Sequence, residues 1–218
     1  MKQPRIPPLL IDIIQSGLAA CDGIVFDSRD ACPLCKATLS GYDTKKKQFA
    51  IINETGELHR VHVFVKRFTC RECHTICFAD EPFYPDTRIG SPVVDLSLTL
   101  SARMPFHRSA AFMEQLGIRV DHGTIRNYAQ RQFPEIPTTD LFGILLPLSI
   151  ISLSELSVRI GEGSRIPGAE VLAACGFPST YRAAPDRRFL TEKRDERQKE
   201  EDKEKRQAEH PEGNGNSQ

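Results

Sequence analysis

The sequence predicts an α+β protein, and three features of its 218 residues point to that fold class. Residues 29–85 are rich in cysteine, aromatic and β-branched residues, and part of this region alternates apolar and polar positions, as strands do. Residues 90–133 carry apolar residues at intervals of three and four, as helices do. After Leu190 the charge signs alternate and almost nothing apolar remains. These changes in composition predict segments at 1–28, 29–85, 86–134, 135–185 and 186–218.

The first two segments contain the signals for one helix and a β-rich region. We expect a short helix around Leu9–Ala20 in segment 1–28. In segment 29–85 the strand predictions are 49–52 and 61–68, with turns at Ser40–Gly41 and Thr55–Gly56. The strand pattern is clearest at 61–65, where valines occupy every second position.

Two Cys-x-x-Cys pairs, Cys32/Cys35 and Cys70/Cys73, are the most informative feature of the β-rich region. Two such turns, brought together by strands, supply the four thiolates of a tetrahedral zinc site. We therefore predict a structural Zn²⁺ ion and a zinc ribbon at 29–85, poorly ordered without the metal. A redox pair and an iron–sulfur cluster are alternative interpretations. Four neighbours are alternative ligands, namely His59, His62, His74 and Cys77.

Segment 86–134 has the pattern of a three-helix bundle with a helix-turn-helix. The predicted helices are Val93–Arg103, Phe106–Leu116 and His122–Phe133. Gly117 suits the positive φ where the middle helix ends, and Asp121 is placed to cap the next helix. The predicted inward-facing residues are Ala110, Ala111 and either Met113 or Leu116 on the middle helix, and Ile125 and either Tyr128 or Ala129 on the last.

Charge is segregated although the chain has 29 basic and 29 acidic residues. Residues 103–131 contain five Arg against two acidic residues, and residues 45–71 contain seven basic residues against two acidic ones. Such basic regions predict double-stranded DNA as a partner, because arginine and lysine neutralise phosphates while Arg, Asn and Gln pair with base edges. The predicted DNA-binding residues are His122, Arg126, Asn127, Gln130, Arg131 and Arg108 in the helical region, and Lys45, Lys46, Lys47, Lys66, Arg67 and Arg71 in the β-rich region.

The same helical region resembles a known family. The residues that carry the resemblance are Met104-Pro-Phe-His-Arg108, Ala111, Gly117-Ile118, Val120, Thr124-Ile125 and Tyr128. With the cysteine pairs upstream, residues 30–133 resemble the N-terminal region of prokaryotic insertion-sequence transposases. The resemblance implies recognition of terminal DNA repeats by this region. Such transposases continue into a ribonuclease-H-like domain with three metal-binding carboxylates, for which we see no room here, so we do not expect an enzyme.

The rest of the chain carries weaker signals. We expect an irregular apolar segment at 135–185 with a short helix at 169–175, and a charged tail at 186–218 that is disordered or a single helix. The longest weakly charged stretch, 141–154, contains Pro147 and is shorter than the ~20 residues that a membrane-spanning helix needs. With no signal-peptide pattern either, we expect a cytoplasmic protein without a membrane partner.

These observations favour a zinc-dependent DNA-binding protein, either a truncated transposase or a regulator derived from one. We expect the basic helix to lie beside the four sulfurs. The alternative is a zinc-stabilised protein-interaction module without DNA binding, in which residues 141–158 or the charged tail dock a second copy or another protein. An enzyme that uses reactive thiols is a third hypothesis.

Overall fold

The structure is a computed structural model that describes residues 6–54, 56–160 and 166–176. These residues form a mixed α+β fold, as predicted. The charged tail predicted at 186–218 lies outside the described residues. The helices are α1 (Pro8–Ala19), α2 (Ser91–Ser101), α3 (Phe106–Gln115), α4 (His122–Ala129), α5 (Leu148–Ile160) and α6 (Gly168–Ala174). The strands are β1 (Val25–Phe26), β2 (Leu39–Glu54), β3 (Glu57–Cys70), β4 (Ile76–Phe78), β5 (Thr138–Leu141) and β6 (Ile144–Pro147).

A long antiparallel hairpin of β2 and β3 is the central feature of the larger sheet. The pairing runs from Leu39 opposite Cys70 to Glu54 opposite Glu57, and the chain reverses at Gly56, which has a φ of 91°. Both predicted strands lie within this hairpin, and the reversal is where the sequence places it. The other edge of β3 pairs with β1 in parallel and with β4 antiparallel.

The turn predicted at Ser40–Gly41 is wrong, because both residues belong to β2. The register shifts between Gly41 and Asp43, which leaves Tyr42 as an extra residue in a bulge. A second shift between Gln48 and Ala50 accommodates Phe49. The Phe49 side chain is fully buried, and its ring lies edge-on to that of Phe83 with 6.1 Å between centroids.

Helices α2, α3 and α4 contact one another. The bounds of α2 and α3 lie within two residues of the prediction, whereas α4 ends at Ala129, before the predicted Phe133. Met113, Leu116, Ile125 and Tyr128 are buried as expected. The prediction for Ala111 is wrong, because this residue is exposed, and of the two alternatives on α4 it is Tyr128 and not Ala129 that is buried. The buried side of α3 is formed by Ser109, Phe112 and Met113. The helix is therefore rotated about its axis relative to the prediction, which placed Ala111 on the buried side.

The irregular segment expected after residue 135 is also wrong for residues 138–160, which form the β5–β6 hairpin and α5. The connecting residues Phe142 and Gly143 have φ values of 57° and 76°, the conformation of a tight two-residue hairpin turn. Helix α5 packs against α1 and α2. The side chains of Leu146, Ile150 and Leu153 are buried in the same core cluster as the valines of β3.

The described helices include none that is both long enough and apolar enough to cross a bilayer.

Candidate metal centre and basic surfaces

The first cysteine pair lies on a tight turn that precedes β2. The backbone N–H of Lys36 donates to the carbonyl of Cys32 at 3.0 Å, and the N–H of Cys32 donates to the carbonyl of Ala37 at 3.0 Å. Lys36 has a φ of 63°, which turns the chain back on itself after Cys35. The turn therefore holds Cys32 and Cys35 on one side of a small loop.

The second pair lies on a turn with the same hydrogen bonds, which begins at the last residue of β3. Here the N–H of His74 donates to the carbonyl of Cys70 at 3.2 Å, and the N–H of Cys70 donates to the carbonyl of Thr75 at 2.9 Å. His74 has a φ of 58°, matching the equivalent position of the first turn. Because the hairpin register places Cys70 opposite Leu39, the two turns meet at the open end of the hairpin.

The four sulfurs form a compact cluster of free thiols. The Sγ–Sγ distances are 3.6 Å for Cys32–Cys73, 3.3 Å for Cys35–Cys70 and 3.6 Å for Cys35–Cys73, and all four sulfurs lie within 4.8 Å of one another. A disulfide would need about 2.05 Å, whereas four thiolates at about 2.3 Å around one tetrahedral ion lie about 3.8 Å apart. The predicted residues therefore come together as a candidate metal site.

The electrostatics of the cluster favour a cation. Hydrogen bonds from the hydroxyl and the backbone N–H of Thr75 lower the pKa of Cys73 to about 6. The backbone N–H of Ala37 acts in the same direction on Cys35, but its hydrogen bonds to the other thiols and desolvation outweigh this and raise its pKa to about 12. One thiolate therefore forms readily, while four together need a compensating positive charge. Metal binding must release protons from this cluster.

The alternative ligands do not join this cluster in the described part of the chain. Cys77 is buried in the core cluster, and desolvation raises its pKa. The Nε2 atom of His59 lies 3.6 Å from a carboxylate oxygen of Asp22, and the backbone N–H of His62 donates to the same carboxylate at 2.7 Å. His74 contributes the left-handed residue of the second turn.

The α3–α4 connection has the two local features that the sequence predicts. Gly117 has a φ of 76° and ends α3. Asp121 caps α4, because its carboxylate accepts a hydrogen bond from the backbone N–H of Thr124 at 2.9 Å and another from the Thr124 hydroxyl. These bonds lower the pKa of Asp121.

Contacts between the α3–α4 connection and β2 were not predicted from the sequence. Ile118 forms a β-bridge with Ile52. On either side of it, the N–H of Asn53 donates to the carbonyl of Gly117 at 2.8 Å, and the N–H of Arg119 donates to the carbonyl of Ile51 at 2.9 Å. The connection is thereby hydrogen-bonded to the edge of the hairpin.

This bridge places the α3–α4 connection far from the cysteines. Leu39, at the cysteine end of β2, and Ile52 are separated by about 40 Å along the strand at ~3.3 Å per residue. We expected the basic helix to lie directly beside the four sulfurs. This expectation is wrong, because the α3–α4 connection is hydrogen-bonded to the other end of the hairpin.

The residues predicted to contact DNA from the helical region are all exposed. They are His122, Arg126, Asn127, Gln130, Arg131 and Arg108. A guanidinium nitrogen of Arg131 donates to the carbonyl of Asp86 at 2.9 Å, so this side chain is already oriented along the surface.

The basic residues of the hairpin fall into two groups. Lys45, Lys46 and Arg71 are exposed, and Lys66 is partly so. Lys47 instead turns inward, where its Nζ donates to both carboxylate oxygens of Glu81 at 2.7 and 2.8 Å. Arg67 is likewise engaged, in a two-point hydrogen-bonded ion pair with Asp43.

Asp95 of α2 is a buried carboxylate. It accepts hydrogen bonds from the hydroxyls of Tyr84 at 2.7 Å and Ser149 at 2.6 Å. Desolvation raises the pKa of Asp95 to about 6, against the lowering effect of these two bonds. The carboxylate therefore links α2 to the N-terminus of α5. No sequence signal identified this network.

Comparison of the chain with protein-family models, with curated proteins and with solved structures finds no match in any of the three.

Proposed function

We propose that this chain is a zinc-dependent, non-enzymatic protein that binds double-stranded DNA through α4. The observation that carries the proposal is the capped α4 helix, which has an exposed polar side and is joined through Gly117 to α3. Helix α3 packs into the core through Phe112 and Met113. The resemblance to transposase N-terminal regions supports the same function and suggests a truncated transposase or a derived regulator.

The chemistry of the cysteine cluster supports zinc in a structural role. Four thiolates fill a tetrahedral coordination sphere and leave no open position for water or substrate, which distinguishes structural from catalytic zinc. The ion would join the turn before β2 to the turn after β3. It would thus close the open end of the hairpin, while Gly56 closes the other.

The composition and size of α4 support DNA binding. Arg126, Asn127 and Gln130 are residue types that form paired hydrogen bonds with guanine or adenine in the major groove. An eight-residue helix is about 12 Å long at 1.5 Å per residue, and its diameter fits a groove about 12 Å wide. Arg108 and Arg131 supply charge for the neighbouring phosphates.

Duplex affinity tests the DNA proposal. We would measure binding of a labelled random-sequence duplex by fluorescence anisotropy over a range of salt concentrations. Arg131→Ala, which removes a charge assigned to a phosphate, should lower the slope of log affinity against log salt by about 0.9. Arg159→Ala, which removes an exposed arginine of α5 paired with Glu170, should leave the slope unchanged. Absence of duplex binding, or an affinity that does not change with salt, would refute the proposal.

Elemental analysis tests the metal proposal separately. The purified chain should contain one zinc per molecule, and Cys35→Ser should lose zinc to a chelator faster. Cys77→Ala is the matched control, because this cysteine lies outside the four-sulfur cluster. Iron in place of zinc, or equal retention in both variants, would contradict a zinc site at these residues.

A further inference from the structure

The solvent-facing side of the larger sheet is a second basic surface, distinct from α4. Strand β3 alternates, with Val61, Val63 and Val65 buried and the residues between them at least partly exposed. The β2 and β1 partners of those residues extend the same side across three strands. We call this surface the outer sheet face, and its residues are Arg60, His62, Phe64 and Lys66 of β3, Thr44, Lys46, Gln48 and Ile51 of β2, and Val25 of β1.

Phe64 occupies the middle of the outer sheet face. It pairs with Lys46 on one side and with Val25 on the other, and Val25 and Lys46 are both exposed. Phe64 is partly exposed, and it belongs neither to the core cluster nor to the apolar residues packed against that cluster among the described residues. An aromatic ring is therefore available at the centre of the sheet without supporting the interior.

The charge of the outer sheet face is positive. Its nine residues include Arg60, Lys46 and Lys66 and no carboxylate. Arg60 donates to the side chain of Gln48 at 3.5 Å within the face, so its charge is not neutralised there. At the edge of the face, the carboxylate of Asp22 accepts the backbone N–H of His62 and lies 3.6 Å from Nε2 of His59.

We propose that the outer sheet face binds single-stranded DNA, with Phe64 stacking on an unpaired base and the three cationic side chains contacting phosphates. This inference rests on the proposed DNA-binding function but assigns it a second surface and a second form of DNA. Bases inside a duplex already stack on one another, so their faces are hidden from a ring on a flat sheet. An unpaired base offers its face, and a positively charged surface with an accessible aromatic ring suits it.

The experiment compares two probes on the zinc-loaded full chain. One is a labelled oligothymidylate of about 20 nucleotides, long enough to cover a typical single-strand site, and the other is the random-sequence duplex. Phe64→Ala should weaken oligothymidylate binding by about 5- to 100-fold and leave duplex binding unchanged, while Phe64→Tyr should retain affinity. The control is Phe142→Ala, which removes a more exposed phenylalanine from the β5–β6 turn.

A charge variant keeps the test decisive if Phe64→Ala does not fold. The double variant Lys46→Gln/Lys66→Gln should reduce the slope of log affinity against log salt for the single strand by about 1.4, at ~0.7 per phosphate contact. Lys45→Gln, on the neighbouring position of β2, should change it less. An unchanged slope in the double variant, or equal affinities for the Phe64→Ala and Phe142→Ala proteins, would overturn the inference.

The two probes also separate this inference from the proposed function. Duplex binding without oligothymidylate binding would overturn the outer-face inference alone. Failure of both probes to bind would overturn both.

Discussion

Replacing Gly117 by alanine tests how the α3–α4 connection is held. Its φ of 76° is left-handed, which costs an L-residue about 1–2 kcal/mol. A Cβ at this position would also lie 1.6 Å from Nε2 of Gln15, so the glutamine must move. Gln15 then loses the hydrogen bond that it donates to the carbonyl of Asn53 at 2.9 Å, worth about 0.5–1.5 kcal/mol. We expect Gly117→Ala to lower the free energy of unfolding by about 2–3 kcal/mol.

Gly143 provides a matched control, because it has the same φ of 76°. In the described part of the chain, a Cβ added there would lie within 4 Å of no atom apart from those of its chain neighbours. Gly143→Ala should therefore show only the backbone cost, about 1–2 kcal/mol. Urea denaturation of the zinc-loaded proteins measures both values. In a Gln15→Ala background the cost of Gly117→Ala should fall to that of Gly143→Ala. Equal costs for the two glycine variants in the wild-type background would refute the role of Gln15.

Two further predictions concern charged groups, one a partly buried ion pair and the other a buried carboxylate. Lys47→Ala removes the ammonium that pairs with Glu81 and should lower the free energy of unfolding by about 2 kcal/mol or more. Lys46→Ala, at an exposed position, should lower it by less than about 0.5 kcal/mol. Equal losses for the two variants in urea denaturation would contradict this prediction. Because burial raises the pKa of Asp95 from 3.8 to about 6, the folded chain retains a proton that the unfolded chain loses across this pH range. The free energy of unfolding should therefore fall by at most about 3 kcal/mol as the pH rises through this range. In Asp95→Asn this fall should be smaller. Parallel plots of unfolding free energy against pH for the two proteins would contradict the prediction.

The predictions that the structure confirms depend on local signals. The Asp121 cap, the left-handed Gly117 and the reversal at Gly56 each follow from the conformational preferences of one or two residues. The cysteine cluster was also predictable, because two identical spacings require only that the connecting strands form a hairpin. In these places the neighbouring sequence decides the structure.

The missed features depend on contacts between distant residues or on an unfavourable local choice. Phe142 adopts a φ of 57° in a turn position where glycine or asparagine is usual, so the residue types there carry no hairpin signal. The inward direction of Lys47 becomes evident only with Glu81, a partner from another part of the chain. The bridge between Ile52 and Ile118 likewise joins residues far apart in sequence.

The hairpin geometry separates the candidate metal site from the contacts that support α4. Zinc would join the ends of β2 and β3 at the cysteines, whereas the bridge at Ile52 lies at the other end of the ladder. Between them, Val61, Val63 and Val65 are fully buried in the common core. Their burial stabilises the middle of the hairpin whether or not an ion is bound, because apolar burial is independent of thiolate ionisation. A bound metal would therefore act on the cysteine end of the sheet, whereas the position of α4 depends mainly on the core and on the hydrogen bonds around Ile118.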